Sequence, residues 1–311
     1  MRKVSLCLKV LIITAVYALS TVTVDAYPYT TDDKSSTVQI EKKSIEVKAK
    51  FERKDSMTYS FDRATFNTSL GDTVCTTYEH YEFMLTVISK GVDGILLHYI
   101  PMEAMTDPKV NNNRETMIRL LSYPYLKGYH IEVLLNRNGG KPKIRNWMAI
   151  KDKLTNSSKE IFNKLYEQNP NLVEGTKKDS LRSVFNLTNY TEEGIDELFP
   201  EIFTLFTIHG DEYNIGETFE AETDSTAQIK IDVSVGSMGK YGYPDDYNIF
   251  CETISHDNEN KTEQSDILDY SYFYNGWPRS MQEQHIENNA LGKGTIETKI
   301  VDWQFHSWNN E

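Results

Sequence analysis

Three cysteines in 311 residues, with no C-x-x-C among them, exclude a disulfide-dense scaffold, a thioredoxin-like redox pair and a zinc knuckle. Positive charge is also short. Thirty-three Lys and Arg stand against 46 Asp and Glu, a net charge of −13. A chain this acidic has no surplus to neutralise phosphates, so neither nucleic acid nor an anionic lipid surface is an expected partner. Beyond the N-terminus there is no apolar run long enough to span a bilayer as a helix, so integral membrane insertion is not expected either. The motifs of familiar chemistry are missing as well. No serine sits in a G-x-S-x-G elbow, no glycine loop is built to cradle phosphate, and no HExxH pair is present. The sequence therefore assigns no catalytic residue, no cofactor and no metal.

What is present begins with residues 1–26. Arg2, Lys3 and Lys9 form a basic start, an apolar run follows from Val10 to Leu19, and Val24-Asp25-Ala26 offers short residues at a cleavage site. That order reads as a secretory signal peptide. The apolar run is about half the ~20 residues a spanning helix needs. Cys7 lies in the basic region rather than after a small-residue box, so lipid anchoring is not expected. Loss of this segment removes three cations and one anion and leaves the remainder two charges more negative. The expected destination is secreted or periplasmic. Five N-x-S/T sequons, at Asn67, Asn156, Asn186, Asn189 and Asn260, mark expected surface positions. Cys75 and Cys251 remain after processing and are the candidates for a disulfide.

The rest of the chain divides by pattern. Residues 27–44 are a polar lead-in, 45–147 are strand-rich, 148–209 are helical and 210–311 are strand-rich again, with the lobes expected to form one compact unit. Tyr81, Phe83, Leu85 and Val87 share one face of a long strand, and the turn Gly91-Val92-Asp93-Gly94 folds it back into a hairpin. A short helix is expected from Arg114, stopped by Tyr123-Pro124. Trp147, Ile150, Leu154, Ile161 and Leu165 recur at helical spacing, Thr191 suits a helix N-cap, and Pro200 suits a first helical turn. Ile229, Ile231, Val233 and Val235 alternate with polar residues as on a half-buried strand. The expected fold class is α+β, mostly antiparallel sheet in two regions with a central helical segment, and a loosely duplicated curved-sheet architecture is compatible with the pattern.

Seven histidines are scattered singly, so any acid–base site must be assembled by the fold. His209, in the run His209-Gly210-Asp211-Glu212, and His98 are the histidines to watch for a carboxylate within hydrogen-bond reach. Such a cleft would indicate an exported hydrolase. Residues 257–260 with Asp266 offer oxygen ligands but lack the glycine and terminal Glu of a calcium loop. The aromatics near the C-terminus are the other concentration. Tyr272, Tyr274, Trp277 and Trp303 are the candidate ligand-binding residues, suited to stacking on sugar rings or lining an apolar cavity, against the plainer alternative that they form core.

Val92-Asp93-Gly94 after the long strand resembles a type of exported, β-rich bacterial protein of unknown function common in Bacteroidota. So do the segment 131–147, where Asn136-Arg137-Asn138-Gly139 leads to Ile144-Arg145-Asn146-Trp147 and a helix, the apolar helix before Gly216-Glu217, and Gly276-Trp277-Pro278. The resemblance implies a fold and a compartment and no activity. The expected function is a soluble binding or carrier module for an apolar molecule or a glycan, with oligomeric state unassigned.

Overall fold

The computed structural model describes residues 44–69, 72–107, 110, 113–168, 191–221, 227–236, 243–257, 262–289 and 293–308. The signal segment, residues 27–43 of the lead-in, Asn186, Asn189 and residues 258–260 lie outside them. Within them Asn67 and Asn156 are exposed, on a strand and a helix.

Thirteen strands and four helices follow one another along the described chain. Strands β1 (Ser44–Glu46), β2 (Ser56–Ser69), β3 (Asp72–Gly91) and β4 (Gly94–Met105) precede helix α1 (Arg114–Leu126). Strands β5 (Ile131–Leu135) and β6 (Lys143–Ile144) lead into α2 (Trp147–Gln168), α3 (Glu192–Asp196) and α4 (Pro200–Leu205). The remainder is β7 (Glu212–Asn214), β8 (Gly216–Ala221), β9 (Gln228–Val235), β10 (Tyr247–Asp257), β11 (Thr262–Tyr272), β12 (Pro278–Asn289) and β13 (Lys293–Ser307). The class is α+β and dominated by antiparallel sheet.

One open sheet of eleven strands, in the order β6-β5-β4-β3-β2-β13-β12-β11-β10-β9-β8, contains all but two of them. Sequential strands pair antiparallel throughout each half, β4 and β5 being joined through α1, and the long pairing of β13 with β2, from Lys293↔Ser69 to Ser307↔Ser56, fuses the two halves. The two strand regions visible in the sequence are therefore one hydrogen-bonded surface. Cys75 on β3 and Cys251 on β10 are five strand spacings apart along it, about 24 Å at the usual strand separation. A disulfide needs Cα atoms within about 7 Å, and none joins these two.

Strict alternation drives the central strands. Met57, Tyr59 and Phe61 on β2, with Tyr81, Phe83, Leu85 and Val87 on β3, are all buried on the helix-bearing face. Further along β2 the buried face changes. Ala64 and Phe66 join Tyr78 in a small second core on the other side of the sheet. Helix α1 runs through Pro124 to Leu126 rather than stopping before it. Proline there removes one backbone donor, but Tyr123 and Leu126 are 2 % and 1 % exposed, and their burial outweighs that loss. Asn113 caps the helix, its side chain accepting from the Thr116 N–H at 2.8 Å. Thr191 caps α3 and Pro200 opens α4, as their residue types favour.

Residues 47–51 run as a strap across three turns. Val47, Ala49 and Phe51 are buried while Lys48 and Lys50 face outward. The Val47 N–H donates to the Asp211 carbonyl (2.9 Å), that of Ala49 to Asn138 (2.8 Å) and that of Lys50 to Asn275 (2.9 Å). Gly276 takes a φ of +83°, and a Cβ on it would lie 2.2 Å from the Lys48 carbonyl oxygen. Gly276→Ala is therefore expected to cost about 2 kcal/mol or more, from the left-handed backbone and the steric displacement of the strap together. Urea unfolding measures this; a loss below about 0.5 kcal/mol would show that the strap does not hold the turn.

Candidate functional site

The strap and the β9–β10 end of the sheet border a half-open cleft of about 490 Å³. Ile45 from β1, Ile215 from the β7–β8 junction, Val235 at the end of β9, and Tyr247 and Tyr274 supply its apolar lining. Ser44, Glu46, Lys48, Lys50 and Asp245 supply its polar lining. Alternation along the strap explains this division: the odd residues from 47 to 51 enter the core, so the even ones project toward the cleft. β1 is held in place by pairing with β7, Ile45↔Tyr213 at its centre.

Three features make this surface chemically uneven. Ile215, Val235 and Tyr274 are each at least 40 % exposed, an unusual concentration of apolar side chain in contact with water. Lys48 pairs loosely with Glu46 at 3.6 Å, whereas Lys50 and Asp245 form no ion pair among the described residues. The floor is rigid. Tyr247 stacks on Tyr272 with ring centroids 5.2 Å apart. The turn beside it is fixed by Asp246, which is fully buried and accepts from the N–H groups of Tyr243 (2.8 Å) and Tyr274 (2.9 Å). Arg279 lies 3.5 Å from the same carboxylate.

The four aromatic candidates are divided by the fold. Tyr274 lines the cleft. Tyr272 lies behind its floor, 0 % exposed. Trp277 is also 0 % exposed and stacks on Phe51 at 3.9 Å, inside the core. Trp303 is half-buried against Phe273, with ring centroids 5.5 Å apart. The tight turn 273–277, closed by the Phe273 N–H on the Trp277 carbonyl at 2.9 Å, separates Tyr274 from Trp277. Val235, Ile215, Ile45 and Tyr247 are apolar lining residues the sequence reading missed. Val235 continues the alternation of a buried strand, but only Val233 of that row is fully covered, because β9 lies next to the sheet edge.

The histidines sort differently from their sequence context. His209 is buried; its Nε2 lies 2.9 Å from the Gly276 carbonyl oxygen, and rings of Phe51, Phe206 and Tyr272 surround it. Burial pushes its pKa down to about 4. His98 packs against His130 with ring centroids 4.8 Å apart. The histidines that do meet carboxylates do so across strands. His80 Nδ1 lies 2.9 Å from Asp62 Oδ1, an oxygen that also accepts from the Tyr78 hydroxyl. Burial works against the charged form of His80, but the hydrogen bond and field of Asp62 outweigh it and raise its pKa. His285 Nδ1 lies 2.7 Å from Asp266 and His256 Nδ1 3.4 Å from Glu263. In each case the register of two strands makes the pair, a relation no local spacing encodes. Among the described residues no three His, Cys, Asp or Glu side chains converge as a metal cluster, and no helix is long and apolar enough to cross a membrane.

No family model matches the chain, and no curated protein does. Among solved structures, a lipovitellin studied for its lipid–protein interactions is similar over 83 % of this chain, with a TM-score of 0.47 and 7 % identity. The chain spans about a quarter of that protein, 26 % of its length. An outer-membrane channel from Pseudomonas putida F1 aligns over 87 % of this chain and 100 % of its own, with a TM-score of 0.18 and 5 % identity.

Proposed function

We propose that this is an exported binding or carrier protein that takes a small amphipathic ligand in the cleft between the strap and the β9–β10 end. The cleft itself is the observation that carries this reading. Its volume of about 490 Å³ suits a small molecule, since ligand sites commonly enclose roughly 300–1,000 Å³. An apolar wall of Ile45, Ile215, Val235 and Tyr274 suits an aliphatic or ring body. The ammonium of Lys50, which pairs with no carboxylate among the described residues, suits an anionic head at the rim. The fixed Tyr247–Tyr272 floor limits the ordering cost of binding. A glycan would use Tyr274 as a stacking face and depend less on Lys50.

Titration of the purified chain with a dansyl-labelled fatty acid, and separately with a fluorescent neutral oligosaccharide, tests the reading. The expected result is saturable binding of the fatty acid, weakened at least about tenfold by Val235→Asp, which places a charge on the apolar wall. Lys50→Glu should weaken the acid but not its uncharged ester. Saturable binding of the oligosaccharide alone would move the assignment to a glycan. Equal affinity in the parent and Val235→Asp for every probe, or no binding of either, would overturn the cleft as the site.

A further inference from the structure

A second site lies on the other face of the sheet, independent of the cleft. On β4 the residues Leu97 and Tyr99 are buried toward the helices, so His98 between them points the opposite way. Its direct partner on β5 is Glu132. His130, two residues before Glu132, is the diagonal neighbour on that face and is exposed. The two imidazoles meet with centroids 4.8 Å apart and planes tilted by 41°. We propose that His98 and His130 form a bis-imidazole site for a divalent transition metal ion of the copper, nickel or zinc class, completed by water.

The separation of the two rings fits the assignment. An ion at about 2.0–2.1 Å from an imidazole nitrogen lies about 3.2 Å from the ring centre, so two imidazoles on one ion at about 90–109° have centres about 4.5–5.2 Å apart. The observed 4.8 Å falls inside that interval. Borderline divalent ions favour imidazole ligands, and such sites follow the order that places copper(II) first. Each imidazole would bind the ion through a neutral ring nitrogen, and binding would release any proton it carries. Glu132 supplies negative potential beside it. Arg145 comes next across the sheet, its N–H on the Glu132 carbonyl at 2.8 Å, and is the cation nearest in register.

The backbone under the pair is braced. The Asn146 side chain accepts from the Glu132 N–H at 3.0 Å and donates to the His130 carbonyl, also at 3.0 Å. One amide thus fixes the stretch that carries His130 and Glu132, while β4 is paired on both sides, to β3 and β5. Both histidines therefore project from a fixed frame, and little ordering is left for the ion to impose.

The test uses the full chain, stripped with a chelator and titrated with copper(II) alone, then zinc(II) alone. Calorimetry should show a single equivalent bound, and the copper spectrum should show two nitrogen ligands. His98→Ala and His130→Gln should each weaken binding by more than about 10-fold, since loss of even an outer-shell partner costs about 10- to 100-fold, with unchanged circular dichroism. Asn146→Ala should weaken it by less. His285→Ala, which removes a partly exposed histidine paired with Asp266, should leave it unchanged. Zinc(II) should raise the melting temperature of the parent but not of the two ligand variants. Copper binding that survives in the His98→Ala/His130→Gln double variant, or that depends instead on His285, would overturn the proposal.

Discussion

Glu201→Gln is expected to make the protein more stable above about pH 7, and to leave its stability rising with pH between about 4.5 and 6.5 relative to the parent. Glu201 on α4 is 0 % exposed. The Tyr99 hydroxyl donates to its Oε1, and the Tyr123 hydroxyl lies 2.5 Å from that of Tyr99. Burial raises its pKa from 4.5 to about 7, partly countered by the Tyr99 hydrogen bond and a backbone bond, with Glu79 adding and Arg119 subtracting. In the unfolded chain the carboxyl ionises near its ordinary value, whereas in the fold it stays protonated until about pH 7. Stability from this group is therefore fully present below about pH 4.5 and lost as pH rises to about 7. At about 1.36 kcal/mol per unit, the loss is about 3 kcal/mol.

His209 acts in the opposite sense. Its folded pKa is depressed from 6.5 to about 4. Its contribution is present above about pH 6.5 and lost as pH falls through about 4, again by about 3 kcal/mol. Across the shared interval the two slopes oppose each other in the parent. His209→Gln, apart from a constant offset for lost packing, should expose the falling slope of Glu201, and Glu201→Gln the rising slope of His209. Urea unfolding at half-unit steps from pH 4 to 8 reads both. Parallel curves for the parent and either variant would mean that the group does not titrate in that window.

Arg119→Leu should be the most destabilising single change, at about 3–5 kcal/mol, because it leaves a buried carboxylate without its main partner. Glu79 on β3 is 2 % exposed. It accepts from Arg119 Nη2 at 2.6 Å and Nε at 3.1 Å, and from the Tyr81 hydroxyl at 2.5 Å. Arg63 is more distant from it, at 3.7 Å, and lies closer to Glu297, at 2.8 Å. Burial disfavours the Arg119 charge, yet the hydrogen bonds and field of Glu79 push its pKa up. The pair links α1 to the sheet, so its loss should be felt in both. Replacing both partners, Glu79→Leu with Arg119→Leu, removes two desolvated charges together and should recover much of the loss. A single-variant cost under about 1 kcal/mol, or a double variant no better than Arg119→Leu, would contradict this account.

The strands were the most legible part of the fold. Tyr81 to Val87, the Gly91–Gly94 turn and the helix from Trp147 all stand where period and turn chemistry place them, because each depends on neighbours within a few residues. Leu126 shows where that legibility ends. A proline should stop the helix, but burial of Tyr123 and Leu126 against other elements carries it past. The second core of Ala64, Phe66 and Tyr78 was hidden for a related reason: burial of the other face of β2 depends on what β3 and β13 bring beside it.

The candidate site was less legible than the fold. Of its lining, Tyr274 stood among the aromatics singled out, while Val235 and Ile215 look like ordinary strand and turn residues. The cross-strand pairs His80–Asp62 and His98–His130 are set by register. Alternation tells which face a side chain takes, and register tells whom it meets.

By itself, then, the amino-acid sequence determined the acidic charge balance, the α+β class and the alternating faces of the strands, all of which follow from composition and local period. The joining of two strand regions through β13 and β2, the cleft under the strap, the buried Glu201 and His209, and the histidine pairs were decided only by tertiary structure. They depend on contacts between residues as far apart as His209 and Gly276 or Tyr99 and Glu201, and only closure of the chain brings such groups within hydrogen-bond reach.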